Sequence, residues 1–356
     1  MKGKTYILVT MIAVLTICGT IYAQEWNRLL NLRGGWKFSI GDDMKWADTK
    51  FNDSSWETIK VPSSWEDQGF YGYNGYAWYR KHFTVSSSMK DRVITVKLGR
   101  IDDIDEVYVN GKLIGSSGTF PPEYQSAYYA WREYPLPEDL LNYEGDNVIA
   151  VRVYDSQLQG GIVEGEIGLY EREGAMRLDY NLSGQWKFKT GDDLKWKDAN
   201  YDDQNWRKIY VPAAWESQGY NGYDGYAWYR TEVKVSADFS NKKLVLVMGK
   251  IDDIDEVYIN GQLVGSTGIM DGDPPTEWND NGEYAQFRGY YLPDGILQPN
   301  KDNVIAVRVY DGYNVGGIYQ GPVGMIEQSK YVQYWKDHRK DYKKRSKDSF
   351  WDWLTD

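Results

Sequence analysis

The groups in this sequence best placed to do chemistry are carboxylates. Asp102, Asp103 and Asp105 stand in the run IDDIDEVYVNG, and the run returns 150 residues later with Asp252, Asp253 and Asp255. Acids so spaced serve three chemistries: turn and capping hydrogen bonds, oxygen ligation of calcium, and hydrolysis when two of them stand roughly 5–9 Å apart across a sugar. Their place at the entry to a hairpin favours structural hydrogen bonding over catalysis. No cofactor is required by the pattern, and calcium is the one ion it admits. Other reaction types are closed. The chain has two histidines, His82 and His338, and Glu232 stands where a second His82 belongs, so no histidine triad is repeated. A histidine-based zinc site is nearly excluded on the same ground. There is no G-x-S-x-G elbow, phosphate loop or dinucleotide fingerprint.

The second chemical resource is aromatic. Sixteen Trp and 31 Tyr among 356 residues is a surplus that suits sugars, whose C–H faces stack on rings while their hydroxyls seek Asp, Asn, Gln and Arg. The densest stretch of that composition is QGFYGYNGYAWY, Gln68–Tyr79, with QGYNGYDGYAWY, Gln218–Tyr229, as its partner. A second pair is DSQLQGGI, Asp155–Ile162, and DGYNVGGI, Asp311–Ile318. Trp36, Trp46, Trp56, Trp65 and Trp78 punctuate strand patterns and read as packing. Tyr71, Tyr73, Tyr76, Tyr220, Tyr223 and Tyr313 lie beside glycines in loops, where binding residues concentrate.

These residues need a frame, and the repeat supplies one. Residues 31–116 align without a gap on 181–266, with 45 identities in 86 pairs; beyond a six-residue insertion in the second copy the offset becomes 156. A period of that length is a whole domain rather than a solenoid unit. Val107 and Val109, the Asn110-Gly111 turn, and Leu113-Ile114 predict a β-hairpin. Short β-branched and aromatic runs such as Trp36–Ile40, Val93–Leu98 and NVIAVRVY (147–154 and 303–310) are separated by Gly, Pro, Asn and Asp. The expected fold class is all-β, two tandem jelly-roll β-sandwiches over 26–172 and 176–328, closely joined, with a short helical tail over 329–356. In that tail Tyr331, Tyr334, Trp335, His338 and Tyr342 share one helical face and basic residues fill the rest.

The first 23 residues read as a cleaved secretory signal: Lys2 and Lys4, an apolar run from Tyr6 to Ile17, and Ile21-Tyr22-Ala23 before the cut. This predicts a secreted or periplasmic bacterial protein without a membrane span; acylation of Cys18 is the less favoured alternative, since Ile17 stands where a small residue belongs. Cys18 is the only cysteine, so the mature chain has no thiol chemistry. A formal charge of −11 argues against nucleic acid and anionic membranes as partners.

The ordered motifs G-x-W-K-F, VP-x-x-W, AWYR, IDDIDEVY-(V/I)-NG, NVIAVRVYD and GGI-x-x-G resemble the sugar-binding jelly-roll domain of glycoside hydrolase family 2. That family includes β-galactosidases, β-glucuronidases and β-mannosidases, and similar modules occur in bacterial sialate O-acetylesterases. The resemblance spans both repeats and implies a galactose-binding-like sandwich. It also implies that the loops before AWYR and before GGI face a sugar, nominating Tyr73, Asn74, Tyr76, Gln157 and Gln159 in copy one. In copy two it nominates Tyr223, Asp224, Tyr226, Tyr313 and Asn314. Copy one departs from the last motif, with GGIVEGEIG against GGIYQGPVG. In the family enzymes a separate barrel carries both catalytic glutamates, and no position here matches them. The expectation is therefore a glycan-binding protein, non-catalytic on its own, beside a separate glycosidase or esterase. The alternatives are a glycosidase or esterase, or a subunit of one, and a structural protein–protein module. A fold alone does not decide among them.

Overall fold

A computed structural model describes residues 26–276 and 282–338. The signal segment and the tail beyond His338, including Tyr342, lie outside the described residues. The all-β reading holds: the strands assemble into sandwiches, with a short helix at the C-terminal end.

The first sandwich comprises β1 (Trp26–Asn31), β2 (Gly34–Ile40), β3 (Glu57–Val61), β4 (Gly75–Thr84), β5 (Ile94–Asp102), β6 (Ile104–Val109), β7 (Lys112–Ser117), β8 (Trp131–Leu136), β9 (Asp146–Asp155) and β10 (Gly161–Arg172). Four strands pair in the order β1-β10-β5-β8 and six in the order β3-β2-β4-β9-β6-β7. All of these pairings are antiparallel. The second sandwich repeats the plan with β11 (Tyr180–Asn181), β12 (Gly184–Thr190), β13 (Arg207–Val211), β14 (Gly225–Lys234), β15 (Leu244–Asp252), β16 (Ile254–Ile259), β17 (Gln262–Thr267), β18 (Phe287–Tyr291), β19 (Asp302–Asp311), β20 (Gly317–Gln320) and β21 (Gly324–Glu327). Its six-stranded sheet runs β13-β12-β14-β19-β16-β17.

The core lies between the sheets. In copy one Trp36, Phe38, Trp65, Tyr79, Val96, Leu98, Val151 and Leu169 meet there, and Trp186, Phe188, Trp215, Tyr229, Leu246, Met248, Val307 and Met325 do so in copy two. Burial of each such aliphatic or Phe side chain stabilises by roughly 1.5–3 kcal/mol. The outer face of the six-stranded sheet is buried as well, because the segment after β2 folds over it. Trp78, Tyr108 and Ala150 pack there under Ala47, Trp46 and Trp56. A buried arginine ties that segment down: Arg80 Nε meets Asp53 Oδ2 at 2.9 Å, and its guanidinium also donates to the carbonyls of Trp46 and Asp48. Arg230 and Asp203 repeat the pair at 2.8 Å.

The hairpin forms at the expected turn, with Asn110 and Gly111 at φ 50° and 79°, the two positive values that a tight hairpin turn demands. After β21 the chain turns into a helix over 328–338. Tyr331 packs with Met176, Val245, Val247 and Ile326 on the outer face of the other sheet of the second sandwich, β11-β21-β15-β18 with β20 also paired to β15, and Trp335 meets Phe287 edge-on at 5.2 Å. Gly289 makes room: a Cβ there would stand 2.1 Å from the Tyr331 hydroxyl. At the matching place in copy one sits Glu133, paired with Lys97 at 3.0 Å, and the Lys97 ammonium lies 4.0 Å over the Trp26 ring. The two sandwiches touch where the Gly118 amide donates to the Ser217 carbonyl at 2.6 Å and where Arg177 pairs with Asp91 at 2.6 Å.

Candidate functional site: an acidic mouth in each sandwich

The repeated acidic run is the corner at which the chain leaves one sheet for the other. Asp102 ends β5 in the four-stranded sheet, opposite Gly161; Ile104 opens β6 in the six-stranded sheet, and Asp103 is the residue between. The Asp102–Asp103 and Asp252–Asp253 peptides are cis. Asp155, the last residue of β9, arrives beside them opposite Gly75. Oxygens of Asp102, Asp103 and Asp155 lie within 4.8 Å of one another, and so do those of Asp252, Asp253 and Asp311.

Asp105 and Asp255 take no part in this grouping. Each is wholly buried and spent on an arginine and a tyrosine: Arg132 at 2.6 Å and Tyr134 at 2.7 Å, Arg288 at 2.9 Å and Tyr290 at 2.5 Å. Each arginine also donates to the backbone carbonyl of Asp103 or Asp253, so its charge is committed behind the corner rather than in the mouth. Each carboxylate gives one oxygen to the arginine and the other to the tyrosine, and a buried ion pair of this kind adds little net stability.

In copy one the mouth is lined with donors. Ser126 Oγ donates to Asp103 Oδ1 at 2.6 Å, while Tyr124 Oη (2.6 Å) and the Ser156 amide and hydroxyl (both 3.0 Å) serve Oδ2. With its side-chain amide turned so that the nitrogen faces Asp155, Asn74 donates to Asp155 Oδ2 at 3.1 Å. Burial acts to raise Asp103, but the Ser126, Tyr124 and Ser156 donors outweigh it and hold the carboxyl below its usual value. Asp102 and Asp155 are pushed up to about 7, chiefly by burial, with the neighbouring Asp103 charge adding to it.

Copy two keeps the acids and changes their surroundings. Gly312 replaces Ser156 and Gly282 replaces Ser126; Asp224 stands in place of Asn74 and Glu283 in place of Ala127. Asp253 Oδ2 accepts the Gly312 amide at 3.0 Å. Burial now prevails and Asp253 is raised. Burial, then the surrounding carboxylates, push Asp252 and Asp311 up to about 8, and burial pushes Glu216 to about 7. Asp311 Oδ2 and Glu216 Oε1 are buried with no hydrogen-bond partner among the described residues.

The loop residues nominated from the sequence surround these mouths in two ways. Asn74, Gln157, Gln159, Asp224, Tyr313 and Asn314 are exposed, Tyr313 by 68%. Tyr73 and Tyr223 are half-buried; their hydroxyls turn back to donate to the carbonyls of Tyr76 and Tyr226, and their rings meet Trp65 and Trp215 edge-on at 5.8 Å. Tyr76 is partly buried under Arg152, and Tyr226 is buried under Arg308 with its hydroxyl donating to the Gly272 carbonyl. Tyr71, at 91% exposed, projects from the loop into solvent. The repeated NVIAVRVYD motif singles out Asp155 and Asp311 as residues, though not the corner that sheet order brings them to. Tyr124 and Ser126 carried no signal, because they fall in the segment where the copies diverge.

With this geometry in view, comparison with known proteins places the chain. A model of the β-galactosidase second all-β domain matches residues 41–159 and 191–312, one match per sandwich and together more than half of the chain. The chain belongs to that family. It is thus a non-barrel domain pair of the glycoside hydrolase family 2 type. Among curated relatives, a putative β-glucuronidase of Formosa agariphila is 30% identical over 155 residues, 39% of this chain and 14% of that protein. The β-galactosidase BoGH2A of Bacteroides ovatus is 27% identical over 34% of this chain and 15% of its own length. The chain therefore spans a small fraction of the family-2 enzymes it matches. A solved Bacteroides uniformis β-glucuronidase is similar over 82% of this chain and 28% of its own, at 17% identity and a TM-score of 0.35.

Proposed function

We propose that this protein recognises carbohydrate at the loop mouths of its sandwiches, does not cleave it unaided, and works outside the cytoplasm beside a separate glycosidase or esterase. One observation carries the reading: in each copy, exposed amide, carboxylate and tyrosine side chains from the loops before AWYR and GGI flank a cluster of buried carboxylate oxygens. A sugar offers that arrangement a C–H face for Tyr313 or Tyr71 and hydroxyl donors for the acceptors behind them. Asn74, Gln157, Gln159, Asp224 and Asn314 supply the adaptable polar rim, while Tyr73, Tyr76, Tyr223 and Tyr226 shape the loops from beneath. Hydrolysis fits the mouths poorly. In each copy the acids gather their oxygens at a single strand corner rather than on the two sides of a cleft that a glycosidic bond would span.

A glycan array with the chain from Gln24 onward tests this. Selective binding to one class of galactoside, glucuronide or related polymer, weakened by Tyr313→Ala without a change in melting temperature, is the expected result. Uniform absence of binding across the array removes the reading.

A further inference from the structure

The two mouths keep the same three aspartates yet resolve their mutual repulsion differently, and the second leaves the problem open. Three carboxylates within 4.8 Å of each other in a buried corner need protons, hydrogen-bond donors or a cation. Copy one supplies donors from Tyr124, Ser126, Ser156 and Asn74. Copy two has lost the Ser156, Ser126 and Asn74 donors to Gly312, Gly282 and Asp224, and has gained Glu283. Arg288, whose charge acts on this corner, is engaged by Asp255 and by the carbonyls of Glu283, Gln286 and Asp253.

What points to a ligand is an orphaned oxygen within the trio itself. Asp311 is 0% exposed and its Oδ2 has no partner among the described residues; in copy one the corresponding oxygen of Asp155 takes the Asn74 amide. Glu216, 8% exposed and outside the trio, holds the Gly316 amide with Oε2 at 3.0 Å and leaves Oε1 without a partner, as Glu66 does in copy one on the Gly160 amide, so the copies differ at Asp311 Oδ2. The Glu216 charge acts on both Asp252 and Asp311. Leaving a buried carboxylate oxygen unsatisfied costs the full desolvation of that group, and the orphaned Asp311 oxygen, in a trio that has lost three donors, marks a missing positive partner.

We propose that the mouth of copy two, formed by Asp252, Asp253 and Asp311 with Glu216 behind them, binds a calcium ion, and that the mouth of copy one does not. The donor set is all oxygen and mostly anionic, which selects a hard cation over zinc or copper. Calcium accepts carboxylate oxygens in irregular geometry, whereas magnesium demands a near-ideal octahedron and keeps much of its water, which favours calcium at a corner of preset carboxylates. The site needs no glycan to form, so it stands or falls apart from the carbohydrate reading.

Calorimetric titration of the metal-free full chain with calcium chloride at pH 8, paired with melting curves in calcium and in chelator, tests it. One ion per chain is expected, with a rise in melting temperature that magnesium fails to reproduce. Asp311→Asn and Glu216→Gln each weaken binding on the order of tenfold or more, while Asp155→Asn leaves it unchanged. Should Asp311→Asn fail to fold, Asp224→Asn at the exposed rim serves as the milder probe, and the wild-type stoichiometry is decisive by itself. Absence of saturable binding, two equivalent ions, or loss of binding through Asp155→Asn rather than Asp311→Asn overturns the assignment.

Discussion

The mouth of copy one and the mouth of copy two stand on the same scaffold: a strand corner, the end of a central strand and two glycine-rich loops, with the same buried arginine committed behind each. Their chemistry nevertheless diverges through side chains that the scaffold does not need. Asn74 and Asp224 are both exposed on the same loop, and Ser156 and Gly312 follow the same strand end. The acids are anchored in strands whose register any slip would turn inside out, whereas their partners ride on loops that tolerate exchange. After duplication, then, the electrostatics of a mouth can be rewritten without touching the sandwich beneath it.

The comparison breaks first if the scaffolds are not equivalent. Trp78→Ala and Trp228→Ala each remove a wholly buried ring, and each should cost about 3–5 kcal/mol in urea unfolding. A near-neutral result in either copy would mean the sandwiches are not matched supports. A smaller effect, opposite in sign, is expected from Asp311→Asn in chelator at pH 8: the melting temperature rises by several degrees as a buried like charge disappears. Asp155→Asn should give a weaker response, since that carboxyl already has a donor.

The dependence on pH sharpens the contrast. Asp252 and Asp311 titrate near 8 and Glu216 near 7 in the folded chain, against ordinary values of 3.8 and 4.5. A raised carboxyl keeps its proton when folded, so its stabilising contribution is complete below about pH 4 and drains away as pH climbs to about 8. Asp224 and Glu283 also face this group, and Arg288 acts from behind the corner. Asp102 and Asp155 follow the same course up to about 7. Asp103, held below 3.8, runs the other way: its contribution is present at neutral pH and is lost in acid. Melting curves in chelator from pH 5 to 9 should therefore fall with pH, and the gain from Asp311→Asn should shrink toward pH 5. A flat profile would show that the acids of copy two are neutralised by other means. Smallest of all is the rim exchange: Asp224→Asn and Asn74→Asp should each alter stability by no more than about 0.5 kcal/mol. Even so, the first should blunt the calcium-dependent rise in melting temperature and the second should confer a slight one on copy one.

Much of this architecture was legible in the residues. The Asn110-Gly111 turn, the NVIAVRVY strand and the packing role of Trp36, Trp65 and Trp78 follow from local rules of dihedral angle, alternation and size. The structural role read for Asp105 is the one it plays. The crossing between sheets at Asp103 was not legible, because a strand that changes partners looks like two strands separated by a turn. Nor was the arrival of Asp155, 52 residues further along, a non-local consequence of sheet order. Sequence also gives a tyrosine's type without its direction: Tyr73 and Tyr313 both sit beside glycine in loops, yet one turns its hydroxyl into its own backbone and the other stands in solvent.

Near-identical neighbours on one chain carry a hazard in folding, since a segment meant for one sandwich can dock on the other. The helix over 328–338 is exposed to that error, and Gly289 guards against it. The Tyr331 hydroxyl fits only where residue 289 has no side chain; on the first sandwich it would meet Glu133, whose carboxylate is already held by Lys97. A single missing Cβ thus acts as an address label, directing the C-terminal segment to its own sandwich.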